Sequence, residues 1–128
     1  MTTNSDATTP SPPNANKLGK RLWVIMSRAV AAPDEIAKHR LQHLEHQVRL
    51  EKAGILFGAG PLSDAQGERV GIGLIIIRAG TAEDARRIAD SDPMHISGVR
   101  TYTLHQWSLN EGRLNISIDF SDRSYRLD

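Results

Sequence analysis

The residues best suited to chemistry are three histidines, His39, His43 and His46, spaced four and three apart. On a helix those spacings gather the imidazoles within about 60° of arc. Imidazoles so placed offer two chemistries, proton transfer near neutral pH and ligation of a metal. No carboxylate from a recognised metal motif accompanies them, so solvated helix positions explain His39 and His46 more simply. Asp92-Pro93 offers a carboxylate, although an aspartate before proline also serves simply to close a helix. Gly58, Gly60 and Pro61 mark either a strand end where backbone approaches something closely or a plain turn. The chain has no cysteine, which removes disulfides, thiolate nucleophiles and thiolate-bound metals. It also lacks a GxxxxGK loop, a GxGxxG turn after the first strand and a GxSxG elbow, so most standard enzyme classes have no motif here.

The helix that carries the histidines is expected over residues 33–53. Pro33, Asp34 and Glu35 start it and Gly54 fits the left-handed position just past its end. Around it, Ala37, Leu41, Leu44 and Val48 form the stripe expected to face the core. Ile36, His39, His43, His46 and Leu50 form a second stripe about 130° away, as on a helix bordering a half-buried cleft. Strands are expected over residues 22–28, 55–59 (ending at Gly60-Pro61), 70–78 and 99–109. A second helix begins at the cap Thr81-Ala82-Glu83-Asp84 and runs to about Asp90, where Asp92-Pro93 stops it. The order β, α, β, β, α, β predicts an α+β fold of the ferredoxin-like split βαβ kind, a four-stranded antiparallel sheet with both helices on one face. After it, Asn110-Glu111-Gly112 signals a hairpin, and Leu114, Ile116, Ile118 and Phe120 alternate with polar residues as an extra C-terminal strand with one wet face. The organisation expected is a tail over 1–19, a domain over 20–110 and a strand extension over 111–128.

The third strand is apolar on both sides, with Val70, Ile72, Leu74 and Ile76 on one and Gly71, Gly73, Ile75 and Ile77 on the other. Two helices cover only one face, so the other is expected to meet a second copy, giving a homodimer with facing sheets. Ile75 and Ile77 are assigned to that contact.

At 128 residues the chain suits one core, and its apolar content supports that core without metal or disulfide staples. Lys and Arg number 16 against 15 Asp and Glu, with no basic stripe, so nucleic acid is not an expected partner. Apolar runs such as Leu74 to Ile77 are far short of the roughly 20 residues that span a bilayer, so no membrane partner is expected. Apart from Met1 and Asp6, residues 1–16 are Thr, Ser, Pro, Asn and Ala rather than a basic stretch followed by an apolar one. A secretory signal is therefore not expected, the location expected is cytoplasmic, and the tail is expected to be disordered.

Four separated motifs, in order, resemble the YciI-like (YCII-related) family: Arg40-Leu41-Gln42-His43, Gly54, Gly58-Ala59-Gly60-Pro61-Leu62, and Asp92-Pro93-Met94 with Gly98-Val99. The usual form there is R-x-x-H, G, A-G-P and D-P-F-x-x-x-G. The resemblance covers about residues 21–109; Met94 stands where Phe is common, a change that bears on substrate shape more than on fold. It implies a dimeric α+β barrel with a cleft in which the helix histidine meets the aspartate, here His43 and Asp92. At least one family member is a dehydrochlorinase acting on a chlorinated hydroxyquinol, and others are accessory domains.

What the resemblance implies for function is a His43–Asp92 general acid–base pair in a lyase or isomerase acting on a small activated organic acid or phenol, without a cofactor. Arg40, one turn before His43, would either hold a substrate anion or serve only at the surface, and Gly60, Pro61 and Met94 would contact the substrate. A non-catalytic small-ligand or regulatory module using the same cleft is the alternative, and a metal protein using His39, His43 and His46 a third. A positioned base contributes about 10² to 10⁴ in rate. That suits an already activated enol or hydroxyquinol and falls short of peptide or phosphate-ester hydrolysis, which needs a nucleophile, oxyanion hole or metal.

Overall fold

A computed structural model describes residues 19–127. The expected tail over 1–19 lies, apart from Gly19, outside the described residues. In chain order the elements are β1 (Lys20–Ala29), α1 (Pro33–Ala37), α2 (Arg40–Lys52), β2 (Leu56–Ser63), β3 (Arg69–Ile77), α3 (Ala82–Asp90), α4 (Pro93–Ile96), β4 (Arg100–Leu109), β5 (Ile116–Asp119) and β6 (Ser124–Leu127). Two compact units result, one of residues 21–108 and one that takes in the described residues 19, 20 and 109–127. Among the described residues no helix is long and apolar enough to cross a membrane.

The larger unit holds a sheet of order β2-β3-β1-β4, with β1–β3 and β2–β3 antiparallel. This is the ferredoxin-like order that the sequence pattern predicts. Ile25 of β1 pairs across from Ile75 of β3 and Trp23 from Ile77. These side chains pack with Ala85 and Ala89 of α3, and Tyr102 and Leu104 of β4 complete the cluster. Alanines on α3 keep its axis close to the sheet, and Trp23 Nε1 donates to the Ala79 carbonyl at 3.1 Å, so the one polar atom of that ring is satisfied in the core. The predicted caps hold: Thr81 Oγ1 accepts from the Asp84 amide at 3.1 Å, and Gly54 takes φ 77° past the end of α2.

The core corrects the assignment of Ile75 and Ile77. They are 6% and 0% exposed and face α3, so they do not belong to the outer face of the sheet. The outer face is the one carrying Leu74 and Ile76, opposite Met26 and Val24 of β1, and these four are only half-buried. Alternation alone separates the two rows without saying which one the helices take.

Three further expectations change. The helix predicted over 33–53 is interrupted at Lys38-His39, where the His39 amide bonds to Ile36 at 3.0 Å, a three-residue closure that ends α1 before α2 starts. The stripe Leu41, Leu44 and Val48 is exposed at 66%, 57% and 43%, whereas His46 and Gln47 are buried. α2 therefore turns its polar face inward, toward a buried carboxylate described below. Finally, β2 does not stop at Gly60-Pro61 but continues to Ser63. An edge strand tolerates a proline because one side of it has no hydrogen-bonding neighbour.

In the smaller unit, β5 pairs with β6 in a separate two-stranded antiparallel sheet. The extra C-terminal strand is thus shorter than expected and has a partner the sequence reading missed, reached through a turn in which Arg123 has φ 59°. Ile116, Ile118 and Phe120 are all more than half exposed, so the alternation there does not mark a buried side.

Candidate functional site

Asp92 organises the site. Pro93 is the first residue of α4, and the Asp92 side chain caps that short helix by accepting the Met94 amide at 2.9 Å. The aspartate does more than close α3: it starts α4, with proline at the position where a missing N–H costs nothing. His43 Nδ1 stands 2.9 Å from both carboxylate oxygens, and Gln47 Nε2 is 3.4 Å from one of them. His43 and Gln47 lie one turn apart on α2, so a single helix face delivers both to one carboxylate. Asp92 is 2% exposed, and these donors replace the water that burial removes.

A carboxylate on Nδ1 makes that nitrogen the donor, which leaves His43 Nε2 as the lone-pair atom of the neutral ring. His43 lines a cavity of about 750 Å³ whose wall also includes Arg40, Gly60, Pro61 and Met94, but not Asp92. The structure thus brings together five of the six residues singled out on the cavity wall, with Asp92 behind His43. Arg40 is exposed, at the start of α2. A Cβ added at Gly60 would meet nothing within 4 Å, so that glycine is not demanded by the fold at this position. Leu44 and Val48, displaced from the core, also line the cavity.

The other helix histidines diverge. His46 Nε2 donates to Ser91 Oγ at 3.3 Å, because the Ser91 hydroxyl itself donates to the Ile88 carbonyl at 2.6 Å. His39 sits at the break between α1 and α2. Among the described residues no three His, Asp or Glu side chains are grouped to hold a metal.

A second polar chain shares the cavity and was not identified from the sequence. His95 Nδ1 donates to the Ala89 carbonyl at 2.6 Å, so its Nε2 accepts from Ser27 Oγ at 2.8 Å. Ser27 Oγ in turn accepts from Arg100 Nε at 2.9 Å. Ser27 and Arg100 both line the cavity wall. The available signal was Ser27 itself, a polar residue closing the apolar run Leu22 to Met26, and it is 3% exposed. Gln47, whose Oε1 is buried without a partner among the described residues, carried no sequence signal.

Electrostatics give an acid-stability prediction. Burial pushes the Asp92 carboxyl up, but the His43 and Met94 hydrogen bonds together outweigh it and hold the group below its ordinary range. Burial also lowers the His46 imidazole, against the opposing pull of Asp92. For both groups the unfolded chain takes up its proton first as the pH falls. Stability linked to His46 is full above about pH 6.5 and declines below it, and that linked to Asp92 is full above about pH 4 and is lost as pH falls through the lowered value. Melting temperature against pH should therefore fall in two steps, with His46→Gln flattening the first and Asp92→Asn the second. A single acid transition untouched by either substitution would contradict this assignment.

Comparison with known proteins adds three findings. The model of the YCII-related domain matches residues 21–108. Protein YjpA of Bacillus subtilis (strain 168) is 34% identical over 74 residues, covering 58% of this chain and 81% of its own. Among solved structures, 5-chloro-2-hydroxyhydroquinone dehydrochlorinase (TftG) from Burkholderia phenoliruptrix AC1100, in complex with 2,5-dihydroxybenzoquinone, aligns with a TM-score of 0.53 at 15% identity, covering 68% of this chain and 93% of the dehydrochlorinase. At that identity the likeness is one of fold.

Proposed function

The chain belongs to the YCII-related family, and from that footing we propose that it is a small-molecule acid–base enzyme, a lyase or isomerase, in which His43 is the general base and Asp92 its orienting partner. The observation that carries this reading is the pairing of His43 Nδ1 with a carboxylate that is itself shut off from the cavity. That pairing leaves Nε2 free to take a proton from a bound phenol, enol or carbon acid, and the carboxylate stabilises the imidazolium that forms. The electron pair released on the substrate then either expels a leaving group such as chloride or is reprotonated at another carbon. Arg40, Gly60, Pro61 and Met94 are the proposed substrate contacts, and the ligand class is that of the dehydrochlorinase with the matching fold, a hydroxylated ring with acidic protons. We also propose a homodimer built on the outer sheet face of Val24, Met26, Leu74 and Ile76.

Purified protein incubated in D₂O with 5-chloro-2-hydroxyhydroquinone, and with a panel of hydroxyquinols and β-keto acids, tests the proposal. Chloride release or deuterium uptake above the uncatalysed rate is the expected result. Binding without either would leave the cavity as a non-catalytic ligand site.

A further inference from the structure

We propose that Arg100 is the anion-recognising residue of this cavity, so that its ligand is a small ring compound bound through an anionic oxygen on Arg100 while its reacting proton meets His43. The proposal rests on the reading of the cavity as a small-molecule site and adds the charge its ligand must carry.

Arg100 opens β4, is half-buried and lines the same cavity as His43 and Ser27. Its guanidinium is fixed from one side only. Nε donates to Ser27 Oγ at 2.9 Å, and Nη2 donates to the carbonyls of Ser27 at 2.7 Å and Gly71 at 3.1 Å. Gly71 offers its carbonyl from a backbone at φ 76°, a conformation that favours glycine. All three acceptors are neutral. Among the described residues no carboxylate lies within ion-pair distance of Arg100, and Nη1 has no partner. Asp92, the carboxylate that acts on it through space, is already occupied by His43, Gln47 and the Met94 amide.

A half-buried cation held rigidly and left without a counter-charge is an incomplete arrangement. Burial pulls the guanidinium below its ordinary value, with Asp92 opposing, yet an arginine keeps its charge. The fold holds this charge in place through the chain from Ala89 to His95, Ser27 and Arg100. An anionic oxygen on Nη1 would supply the missing charge in a charge-assisted bond. Arg40 is the weaker candidate: it is exposed at the cavity wall and has no comparable anchoring among the described residues.

Calorimetric titration of the full chain with 2,5-dihydroxybenzoquinone, whose enolic protons make it an anion at neutral pH, and with its neutral dimethyl ether tests this, with benzoate and benzamide as the carboxylate pair. Wild-type protein should favour one or both anions over their neutral counterparts by at least about tenfold. Arg100→Met should cut anion affinity about ten- to a hundredfold and change the neutral compounds by less than about threefold. Arg100→Lys should fall between, and Arg40→Met, which removes an exposed contact, should cost less anion affinity than Arg100→Met. No preference for either anion in the wild type, or a preference that survives Arg100→Met, overturns the proposal. The wild-type comparison decides the matter if Arg100→Met fails to fold. Deuterium uptake lost in His43→Asn reports separately on the base, so a failed anion site and a failed base are distinguishable.

Discussion

His43→Asn and Asp92→Asn are each expected to lower proton transfer to or from a turned-over substrate by about 10² to 10⁴, and the double variant should be no more than about threefold worse than the weaker single. Asp92 is closed off from the cavity, so its part in proton transfer passes through the His43 ring, and groups that act as one unit are strongly non-additive. Asparagine is the informative replacement because it preserves the cap on the Met94 amide. With its oxygen kept there, the Asn amide nitrogen takes the place of one of the two oxygens that face His43 Nδ1, and the imidazole is expected to move its proton to Nε2. The lone pair then points away from the cavity while the folded structure is kept. Long-range ¹⁵N spectra of the His43 ring distinguish the two tautomers directly. Additive losses, or a wild-type tautomer in Asp92→Asn, would separate the two residues. His39→Asn should be mild in the same assay. His46→Asn should act on stability, because that ring is buried against Ser91.

The second large effect concerns the two faces of β3. Ile75→Asp or Ile77→Asp places an unpaired carboxylate between the sheet and α3, at a cost of several kcal/mol against a total stability of about 5–15 kcal/mol. Either chain should be unfolded by circular dichroism. Ile76→Asp and Leu74→Asp put the same charge on the outer face, and should give folded protein that sediments as a monomer, against the dimer proposed for wild type. A folded Ile75→Asp chain would contradict the core assignment. A dimeric Ile76→Asp/Leu74→Asp double variant would remove the outer face from the proposed interface.

The contrast between these faces shows how far the sequence carried. Features set by neighbouring residues were legible: the Thr81 cap, the left-handed Gly54, α3 up to Asp90 and the βαββαβ order. The inward face of α2 was not. Hydrophobic periodicity finds an apolar stripe and assumes the core covers it, but here a buried carboxylate draws the polar stripe inward and leaves Leu44 and Val48 on the cavity wall. The break at Lys38-His39 had no local cause in residue type either. Ser27, His95 and Arg100 meet across separations of 68 and 73 residues, which only the sheet order brings together. His43 and Asp92, 49 apart, were linked beforehand only by the family resemblance.

Pro61 has a consequence outside catalysis. It lies in β2, the edge strand of the sheet, and the pairing of β2 with β3 shifts register between Leu56 and Gly58 and again between Pro61 and Ser63. An edge strand is a template on which other chains can add strands and begin to aggregate. A proline without an amide hydrogen, set between two irregularities, interrupts that template in the stretch that walls the cavity. A foreign strand is thereby kept from pairing along that stretch, and resistance to aggregation and the shape of the cavity wall depend on the same few residues.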